Sequence, residues 1–434
     1  MESSNLMEKI VALCKRRGFI FPGSEIYGGL NGTWDLGPLG AELSRNIKNE
    51  WWKAIVLQRD DVVGLDSSII HYPKVWEASG HIASFTDPLT ECKVCHERFR
   101  ADHKADISKH EKLHDKPKWT EVKQFNLMFN TYVGPIEDES AKTYLRPETA
   151  QGIFINFQNV VNSTRVRIPF GIAQIGKGFR NEITTGNFLF RVREFEIMEL
   201  EYFVKPETST KWHKYWREER LNWYFELGIN KDNIKLADIP KKDIAHYAKE
   251  ASEIWYNWPF MGFGELEGIV NRGDYDLSQH SKFSGRDLSY QDKEGKYTPY
   301  VIEPSVGVGR AMLAFLLDSY YEEEKRVVLK LHPKLAPIKA AVFPLLANKL
   351  PLVKMAKDVY HNLKRQINGM IAFDDRGNIG KRYYSQDEIG TPFCVTVDFQ
   401  SLEDQTVTVR NRDTTRQLRV KEKDLLSYIK KDID

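Results

Sequence analysis

The sequence has few cysteines, no long apolar run and almost no net charge. Among its four cysteines only Cys92 and Cys95 have a short regular spacing, which excludes a disulfide framework. No stretch approaches the roughly 18 apolar residues of a membrane-spanning helix, and the start of the chain lacks a signal-peptide core, which predicts a cytoplasmic protein without membrane contacts. With a net charge of +2, nucleic-acid binding would depend on local basic patches.

The chain has enough apolar residues for two folded domains. It has 434 residues, 41% of them hydrophobic and ten of them tryptophan, whereas one domain usually takes roughly 100 to 200 residues. The prolines at 333 and 337 indicate a linker. We therefore predict one domain over residues 1–330, with a polar insertion at about 92–123, and a second domain over residues 336–434.

Strand-like runs in the first domain predict an antiparallel sheet with helices packed on it, an α+β fold, because they show no regular strand–helix alternation. These runs are residues 125–129, 170–178, 195–204 and 300–306. The second domain does alternate, which predicts a small α/β domain. Its predicted strands are 338–343, 370–373 and 393–398, and its predicted helices are 350–366 and 421–431.

The most specific segment spans residues 176–203 and reads GKGFRNEITTGNFLFRVREFEIMELEYF. We predict a hairpin around ITTGN, with Arg180 and Glu182 sharing a face of the leading strand and Arg191, Arg193 and Phe195 sharing a face of the return strand. A solvated surface of cross-strand ion pairs has the same pattern, so the segment alone does not identify a binding site.

A second segment, YVIEPSVGVGR, places two glycines between a strand and a helix that opens with Arg310. Glycine lets a ligand approach the backbone, but it also occurs at strand ends for turn geometry alone. This segment too is a weak signal when it is taken by itself.

Together, the two segments resemble motifs 2 and 3 of class II aminoacyl-tRNA synthetases, and the helix and strand that lead to Pro73 resemble the dimer-forming motif 1. Nearly the whole chain is similar to the homodimeric glycyl-tRNA synthetases, on segments that include YGGLNGTWDLGPLG, EASGH, FRADH, LRPETAQGIFINF and DYDLSQH. GVGR departs from the residues that many bacterial members carry before this arginine. The resemblance implies a class II antiparallel sheet flanked by helices, a C-terminal α/β anticodon-binding domain, and attachment of glycine to tRNA(Gly) through an adenylate.

By the same resemblance Arg180 and Arg310 are catalytic. Arg180 would hold the α-phosphate of ATP and the reacting carboxylate, and Arg191 would reach the γ-phosphate. Adenine would stack between Phe195 and Arg310, with Glu182 accepting from its amino group. The implied ATP-binding residues are Arg180, Asn181, Glu182, Phe190, Arg191, Val192, Arg193, Glu194, Phe195, Glu265, Leu266, Gly307, Val308, Gly309 and Arg310. Glu265 is the candidate ligand of Mg²⁺.

The amino acid site is implied to recognise an ammonium and a carboxylate, because glycine has no side chain. The implied glycine-binding residues are Arg100, Glu148, Phe195, Glu199, Glu303, Pro304 and Ser305. Three glutamates on otherwise apolar strands are costly to bury unless a cation meets them, which favours a site over a surface.

Cys92, Cys95, His110 and His114 have a spacing that fits a Cys2His2 zinc site. Related bacterial chains usually carry a second CxxC where this chain has PKWTEVKQ. Two alternatives follow: histidines replace two cysteine ligands, or the site is lost.

The resemblance implies four partners: glycine, ATP, tRNA(Gly) and a second copy of the chain. Basic residues that could contact tRNA in the second domain are Arg376, Lys381, Arg382, Arg410, Arg412, Arg416 and Arg419. Scattered surface charge explains such residues equally well. The alternatives are a noncatalytic, synthetase-like RNA-binding paralogue and a class II synthetase for another small amino acid.

Overall fold

The helices and strands come from a computed structural model, which describes residues 3–114, 117–244 and 247–433. The helices in these residues are α1 (Ser3–Arg17), α2 (Pro38–Trp52), α3 (Lys74–Ala78), α4 (His81–Ser84), α5 (Lys104–Glu111), α6 (Ala150–Ile155), α7 (Phe157–Thr164), α8 (Ser209–Glu226), α9 (Tyr275–Ser284), α10 (Val308–Asp318), α11 (Leu350–Gln366), α12 (Ile379–Glu388), α13 (Phe399–Asp404) and α14 (Glu422–Ile433).

The strands follow the same chain order. They are β1 (Ile20–Pro22), β2 (Trp34–Leu36), β3 (Val62–Gly64), β4 (Thr86–Glu91), β5 (Arg98–Arg100), β6 (Lys123–Asn126), β7 (Asn130–Tyr132), β8 (Lys142–Tyr144), β9 (Phe170–Phe179), β10 (Glu194–Val204), β11 (Ile234–Asp238), β12 (Glu250–Trp258), β13 (Gly262–Gly273), β14 (Tyr290–Gln291), β15 (Lys296–Tyr297), β16 (Tyr300–Gly307), β17 (Tyr320–Glu323), β18 (Arg326–Leu329), β19 (Ile338–Pro344), β20 (Met370–Phe373), β21 (Phe393–Val397), β22 (Thr406–Asn411) and β23 (Gln417–Lys421).

A seven-stranded sheet forms the centre of the first domain, in the order β11-β12-β13-β16-β10-β9-β3. All neighbours are antiparallel except β3, which runs parallel to β9 at the edge. Helices α8 and α10 pack on this sheet, α1 and α2 pack against α10, and the apolar residues of all four helices form one core with the sheet. The predicted antiparallel sheet flanked by helices is confirmed.

Helix α10, which carries Arg310, is apolar around most of its circumference. Every residue from Ala311 to Leu317 is buried, as expected for a helix inside a core. Arg310, in the first turn of this helix, is therefore held in place three residues after β16 ends.

The predicted hairpin is correct in its pairing but wrong in its length. Strand β9 ends at Phe179 and β10 begins at Glu194, so residues 180–193 form a loop instead of two strand ends joined by a turn. Phe179 N donates outward to Arg146 O at 2.9 Å, Arg180 N still donates across to Arg193 O at 2.8 Å, and the backbone then turns away as Asn181 N donates to Leu127 O at 2.7 Å. The loop thereby folds over the sheet instead of extending it.

The polar insertion contains β5 and α5, and the flanking strands β4 and β6 complete a small sheet in the order β5-β4-β6. Strand β4 continues directly from Phe85, which lies over Arg180. The insertion therefore stands beside the loop that carries the motif 2 residues.

The second domain contains a five-stranded sheet in the order β20-β19-β21-β22-β23. Strand β19 is parallel to β20 and β21, while β22 and β23 are antiparallel additions. Helices α11 and α14 pack their apolar faces against it. The strands and helices predicted for this domain are found, and the mixed sheet fits the predicted α/β class; the domain boundaries themselves stay predictions.

Buried polar contacts join the second sheet to the rest of the chain. Arg326 of β18 pairs with Asp387 of α12 at 2.7 Å. The guanidinium of Arg412 donates to the carbonyls of Leu331 at 2.8 Å and Gly390 at 2.7 Å. All three charged side chains are buried, so the junction is packed through hydrogen-bonded ion pairs. No helix in the described ranges is both long enough and apolar enough to cross a membrane.

Candidate active site

One cavity collects most of the predicted ATP-binding residues. Its floor is formed by β10, β13 and β16, and its rim by the loop 180–193 and the first turn of α10. The predicted residues that line it are Arg180, Glu182, Phe190, Arg191, Val192, Phe195, Glu265, Leu266, Gly307, Gly309 and Arg310, joined by Leu189, Ile197 and Ser305.

Four predicted ATP-binding residues have their side chains directed elsewhere. Arg193 donates to the carbonyl oxygens of Glu182 and Asn31, and so ties the loop to the glycine-rich segment near the start of the chain. Glu194 pairs with a lysine of β9, and Val308 is buried in the core. Asn181 lines a neighbouring cavity beside the insertion. ATP contacts for these four stay predictions.

Arg180 is held between two aromatic rings. Its guanidinium carbon lies 5.3 Å from the ring centroid of Phe195 and 5.5 Å from that of Phe85, and its Nε donates to Pro147 O at 3.1 Å. The Phe195 ring lies flat over β9 because Gly178 has no side chain; a Cβ there would lie 2.8 Å from the ring. Within the described part of the chain the terminal nitrogens of Arg180 make no hydrogen bond, so they can bind an anion.

Arg310 is oriented by a carbonyl, a carboxylate and a ring. Nε donates to Phe190 O at 3.1 Å, Nη1 pairs with Glu265 Oε2 at 2.9 Å, and the guanidinium lies 4.5 Å from the Phe190 ring centroid. Gly309 allows this approach, since a Cβ there would stand 3.3 Å from Leu189 O. The charge of Arg310, assisted by Arg180 and Arg191, lowers the pKa of Glu265.

Glu182 presents an acceptor that the protein leaves unused. Its Oε2 is buried in the cavity wall and accepts no hydrogen bond from the described residues. Leaving such an oxygen unsatisfied costs roughly 1 to 3 kcal/mol. A donor from a bound molecule would remove this cost.

Next to the cavity lies a group of buried carboxyl groups. Glu199 and Glu201 project from one face of β10. Glu303 projects from the neighbouring strand β16, in which Ser305 is the register partner of Glu199. Glu199, Glu201 and Glu303 are 1%, 0% and 6% exposed, respectively. Glu148, which precedes α6, completes the group and is linked to it electrostatically.

The pKa values of these groups record a shortage of positive charge. Burial and the charge of Glu148 raise the pKa of Glu199. Burial raises the pKa of Glu303 to about 7. The charges of Glu199 and Glu148 also raise this pKa, whereas the charge of Arg272 lowers it. Burial, with the charge of Glu303, raises the pKa of Glu201 well above its usual value. Neither oxygen of Glu201 has a hydrogen-bond partner in the described residues.

Glu148 differs from its neighbours. Burial alone would raise its pKa, but the nearby imidazole of His81 and the guanidinium of Arg272 outweigh burial and hold the pKa well below its usual range. His81 Nε2 lies 3.4 Å from its Oε2, and Gln151 donates to it at 3.0 Å. Glu148 is therefore the member of the group that stays ionised.

The sequence interpretation missed the residues that order this group. Arg272 pairs with Asp276 at 2.7 Å and with Glu303 at 2.9 Å, and Gln151 donates to Asp276 at 2.9 Å. The segment DYDLSQH supported the family resemblance and contains Asp276, so a signal was present. Arg272 stands before it in a strand, and nothing in its neighbourhood marks it.

Of the remaining predicted glycine-binding residues, Ser305 lines the cavity and Pro304 is buried beside it in β16. Arg100 belongs to the insertion, where it pairs with Asp87 at 2.9 Å and with Asp102 at 2.7 Å. The hydrogen bond to Asp102 and the charge of Asp87 raise the pKa of Arg100, and the charge of Glu182 adds a smaller contribution. Because Glu182 lines the cavity, Arg100 lies on the cavity side of the insertion.

Candidate metal ligands occur in two places. Cys92, Cys95, His110 and His114 are brought together. The carboxylates of Glu265 and Glu253 lie close enough that, after burial, the Glu265 charge raises the pKa of Glu253. One or two carboxylates beside a phosphate site are the usual protein ligands of Mg²⁺, so these residues fit that ion.

The structure corrects the predicted basic surface of the second domain. Arg382, Arg410 and Arg412 are 2%, 4% and 1% exposed. Arg382 and Arg412 donate to main-chain carbonyls, and Arg410 pairs with Asp387. They hold the fold, which leaves the exposed Arg376, Lys381, Arg416 and Arg419 as the candidates for RNA contact.

Comparison with known proteins agrees with this architecture. A model described as tRNA synthetase class II core domain (G, H, P, S and T) matches residues 132–320, and one described as Anticodon binding domain matches residues 339–432. A prolyl-tRNA synthetase from Cryptosporidium parvum, solved with halofuginone and AMPPNP, shares the fold with a TM-score of 0.68 and 16% identity, over 98% of this chain and 74% of that one.

Two bacterial relatives are much closer in sequence. A glycine–tRNA ligase of Thermobifida fusca is 55% identical over 447 residues, covering 96% of each chain. That of Streptomyces coelicolor is 52% identical over 455 residues, covering 98% of each chain. The chain belongs to the glycine–tRNA ligase family of class II aminoacyl-tRNA synthetases.

Proposed function

We propose that the chain activates glycine with ATP in this cavity and then transfers it to tRNA(Gly). The observation that carries the proposal is the group of buried carboxyl groups, short of positive charge, beside a cavity lined by Arg180, Arg191 and Arg310. The first region suits an ammonium and the second suits a triphosphate. Glu199 and Ser305, paired across two strands, stand where the two regions meet.

The shortage of positive charge near the buried carboxyl groups explains how glycine would be recognised. An ammonium beside the ionised Glu148 would stabilise the ionised forms of Glu199 and Glu303, which burial and mutual repulsion otherwise disfavour. The neutral hydroxyl of Ser305 and the guanidinium of Arg180 stand on the cavity side, where the glycine carboxylate would lie. The amino acid is thereby held by its two charged ends.

Activation needs positioning and charge neutralisation more than proton transfer. The glycine carboxylate is already ionised, so it attacks the α-phosphorus of ATP without a general base, and pyrophosphate leaves. The free terminal nitrogens of Arg180 are suited to the α-phosphate, and Arg191 to the γ-phosphate. The adenine ring would lie between Phe195 and Arg310, and its amino group would donate to the unused Oε2 of Glu182.

Mg²⁺ held by Glu265, with Glu253 nearby, would supply further neutralisation of the phosphates. Glu265 also pairs with Arg310 at 2.9 Å, which helps to orient the guanidinium of Arg310.

For the second step, a terminal ribose hydroxyl of tRNA attacks the adenylate carbonyl and AMP leaves. We assign the anticodon contacts to residues 336–434 and the chemistry to residues 1–330. The buried junction at Arg326, Asp387 and Arg412 means that removal of the second domain would damage the first. Point variants on its surface are therefore the appropriate test of the division.

We further propose that the chain acts as a cytoplasmic homodimer. Strand β3 lies at the edge of the large sheet, and exposed apolar side chains flank it. Leu57, Ile70 and Tyr72 are 71%, 47% and 72% exposed. An exposed sheet edge with such side chains is typical of a surface that another subunit covers.

The decisive test is ATP–pyrophosphate exchange measured with each amino acid in turn. Glycine should stimulate exchange, whereas alanine, serine and proline should not. Stimulation by another amino acid alone would contradict the proposed specificity. No exchange, despite binding of tRNA, would favour the noncatalytic paralogue.

A further inference from the structure

We propose that the polar insertion binds one zinc ion through Cys92, Cys95, His110 and His114. One ligand atom from each residue lies within 4.8 Å of the other three. In a tetrahedral site with Zn–S near 2.3 Å and Zn–N near 2.0 Å, ligand atoms stand about 3.4 to 3.8 Å apart. The largest separation in the structure is therefore about 1 Å beyond the tetrahedral range.

The two cysteines lie in a turn that presents both sulfurs to one point. The amide groups of Val94 and Cys95 donate to the sulfur of Cys92, and the amide of Glu97 donates to that of Cys95. The turn is closed by Cys92 N, which donates to Glu97 O at 2.9 Å, and by His96, which has a φ of 63°. These hydrogen bonds hold the two sulfurs beside each other, within the 4.8 Å that separates the four ligand atoms.

The histidines complete the site from the other side. His110 Nδ1 lies 3.0 Å from the carboxylate of Glu97, while its Nε2 lies 3.4 Å from Cys95 Sγ. A carboxylate on one imidazole nitrogen fixes the tautomer that offers the other nitrogen to a metal. His114 follows four residues later, and the centroids of the two imidazole rings are 4.8 Å apart.

The insertion has little else to hold it together. Among the described residues, none between 92 and 123 belongs to a hydrophobic cluster. The aromatic contacts are few and centre on His110, whose ring centroid lies 4.7 Å from that of Phe99 and 5.7 Å from that of Trp119. Small units without a core usually depend on disulfides or metal, and both cysteines are free thiols.

The structure therefore favours replacement of two cysteine ligands by histidine over loss of the site. The ion would have a positioning role in the reaction, because the same small sheet carries Arg100 and follows directly from Phe85, which lies over Arg180. Loss of the metal should let the small sheet beside Phe85 and Arg180 move, while the carboxyl groups of the amino acid site stay in place.

The test is metal content of the full chain purified without chelator, by mass spectrometry. We expect about one zinc per chain, and less than about one tenth after Cys95→Ser. The matched control is His96→Asn: His96 is exposed, adjoins Cys95 and lies outside the ligand set, and asparagine tolerates its positive φ. This control should keep its zinc.

Two further measurements keep the test independent of variant folding. Cobalt(II) added to metal-free wild-type protein should give the thiolate charge-transfer and d–d bands of a tetrahedral site. Glycine-dependent exchange should show a raised KM for ATP after metal removal, with a smaller change in the KM for glycine. The proposal is overturned if wild-type protein neither contains nor takes up zinc, or if Cys95→Ser retains it.

Discussion

The affinity for glycine should rise with pH, because Glu303 must be ionised to hold an ammonium. The sign follows from burial and like charge, which raise the pKa of this carboxyl group to about 7 in the free protein. Bound ammonium favours the ionised form and lowers that pKa, so binding releases a proton and strengthens as pH increases. Above the pKa of the free protein the effect levels off.

The magnitude can be worked from that value. The ionised fraction of Glu303 increases from about one tenth at pH 6 to about nine tenths at pH 8, so the KM for glycine should fall about tenfold, or about 1.4 kcal/mol. The assay is ATP–pyrophosphate exchange at saturating ATP and constant ionic strength. Glycine itself keeps its ammonium over this range.

Two variants separate Glu303 from its neighbours. Glu303→Gln removes the titrating group, so the KM should become nearly independent of pH and, at pH 8, rise by about tenfold or more, since a charge-assisted hydrogen bond is worth about 1.5 to 3 kcal/mol. Glu201→Gln should keep the pH slope, because it leaves Glu303 in place and because burial, with the charge of Glu303, already raises the pKa of Glu201 well above its usual value. A wild-type KM that is flat or increases between pH 6 and pH 8 would refute the reasoning.

Three further predictions address other parts of the molecule. Arg180→Ala should lower exchange by about 100- to 1000-fold without changing the melting temperature, as for removal of one donor to a developing charge; wild-type exchange would contradict its assigned role. The double variant Arg376→Glu/Lys381→Glu should lower kcat/KM for tRNA about tenfold or more and leave glycine-dependent exchange unchanged, and equal loss of both activities would argue against anticodon contact there. Tyr72→Glu should shift the protein from dimer to monomer in sedimentation velocity, and an unaltered dimer would place the interface elsewhere.

The sequence predicted the parts of the fold that rest on apolar periodicity. Helix α11 and strands β19 and β21 have continuous or regularly spaced apolar residues, and their predicted bounds match the structure closely. Helix α12 was missed for the opposite reason. Its buried face consists of Arg382, Gln386 and Asp387, so apolar spacing could not reveal it.

The candidate site shows the same division. The identities of the arginines and glutamates could be inferred from motifs, and the structure brings most of them together around one cavity. The strand ends in the motif 2 hairpin could not be inferred, because they depend on hydrogen bonds to Arg146 and Leu127, distant in sequence. The same holds for Arg272, whose partners Asp276 and Glu303 come together only in the folded sheet.

The buried contacts of Arg326, Asp387 and Arg412 have a consequence for substrate selection. Because they join the second sheet to the first domain, they restrict movement of the exposed face around Lys381 relative to the Arg180 cavity. If tRNA engages both places as proposed, the distance and angle between its anticodon and its acceptor end must match this arrangement. Aminoacylation would then depend on the shape of the whole tRNA, in addition to any base that the protein reads.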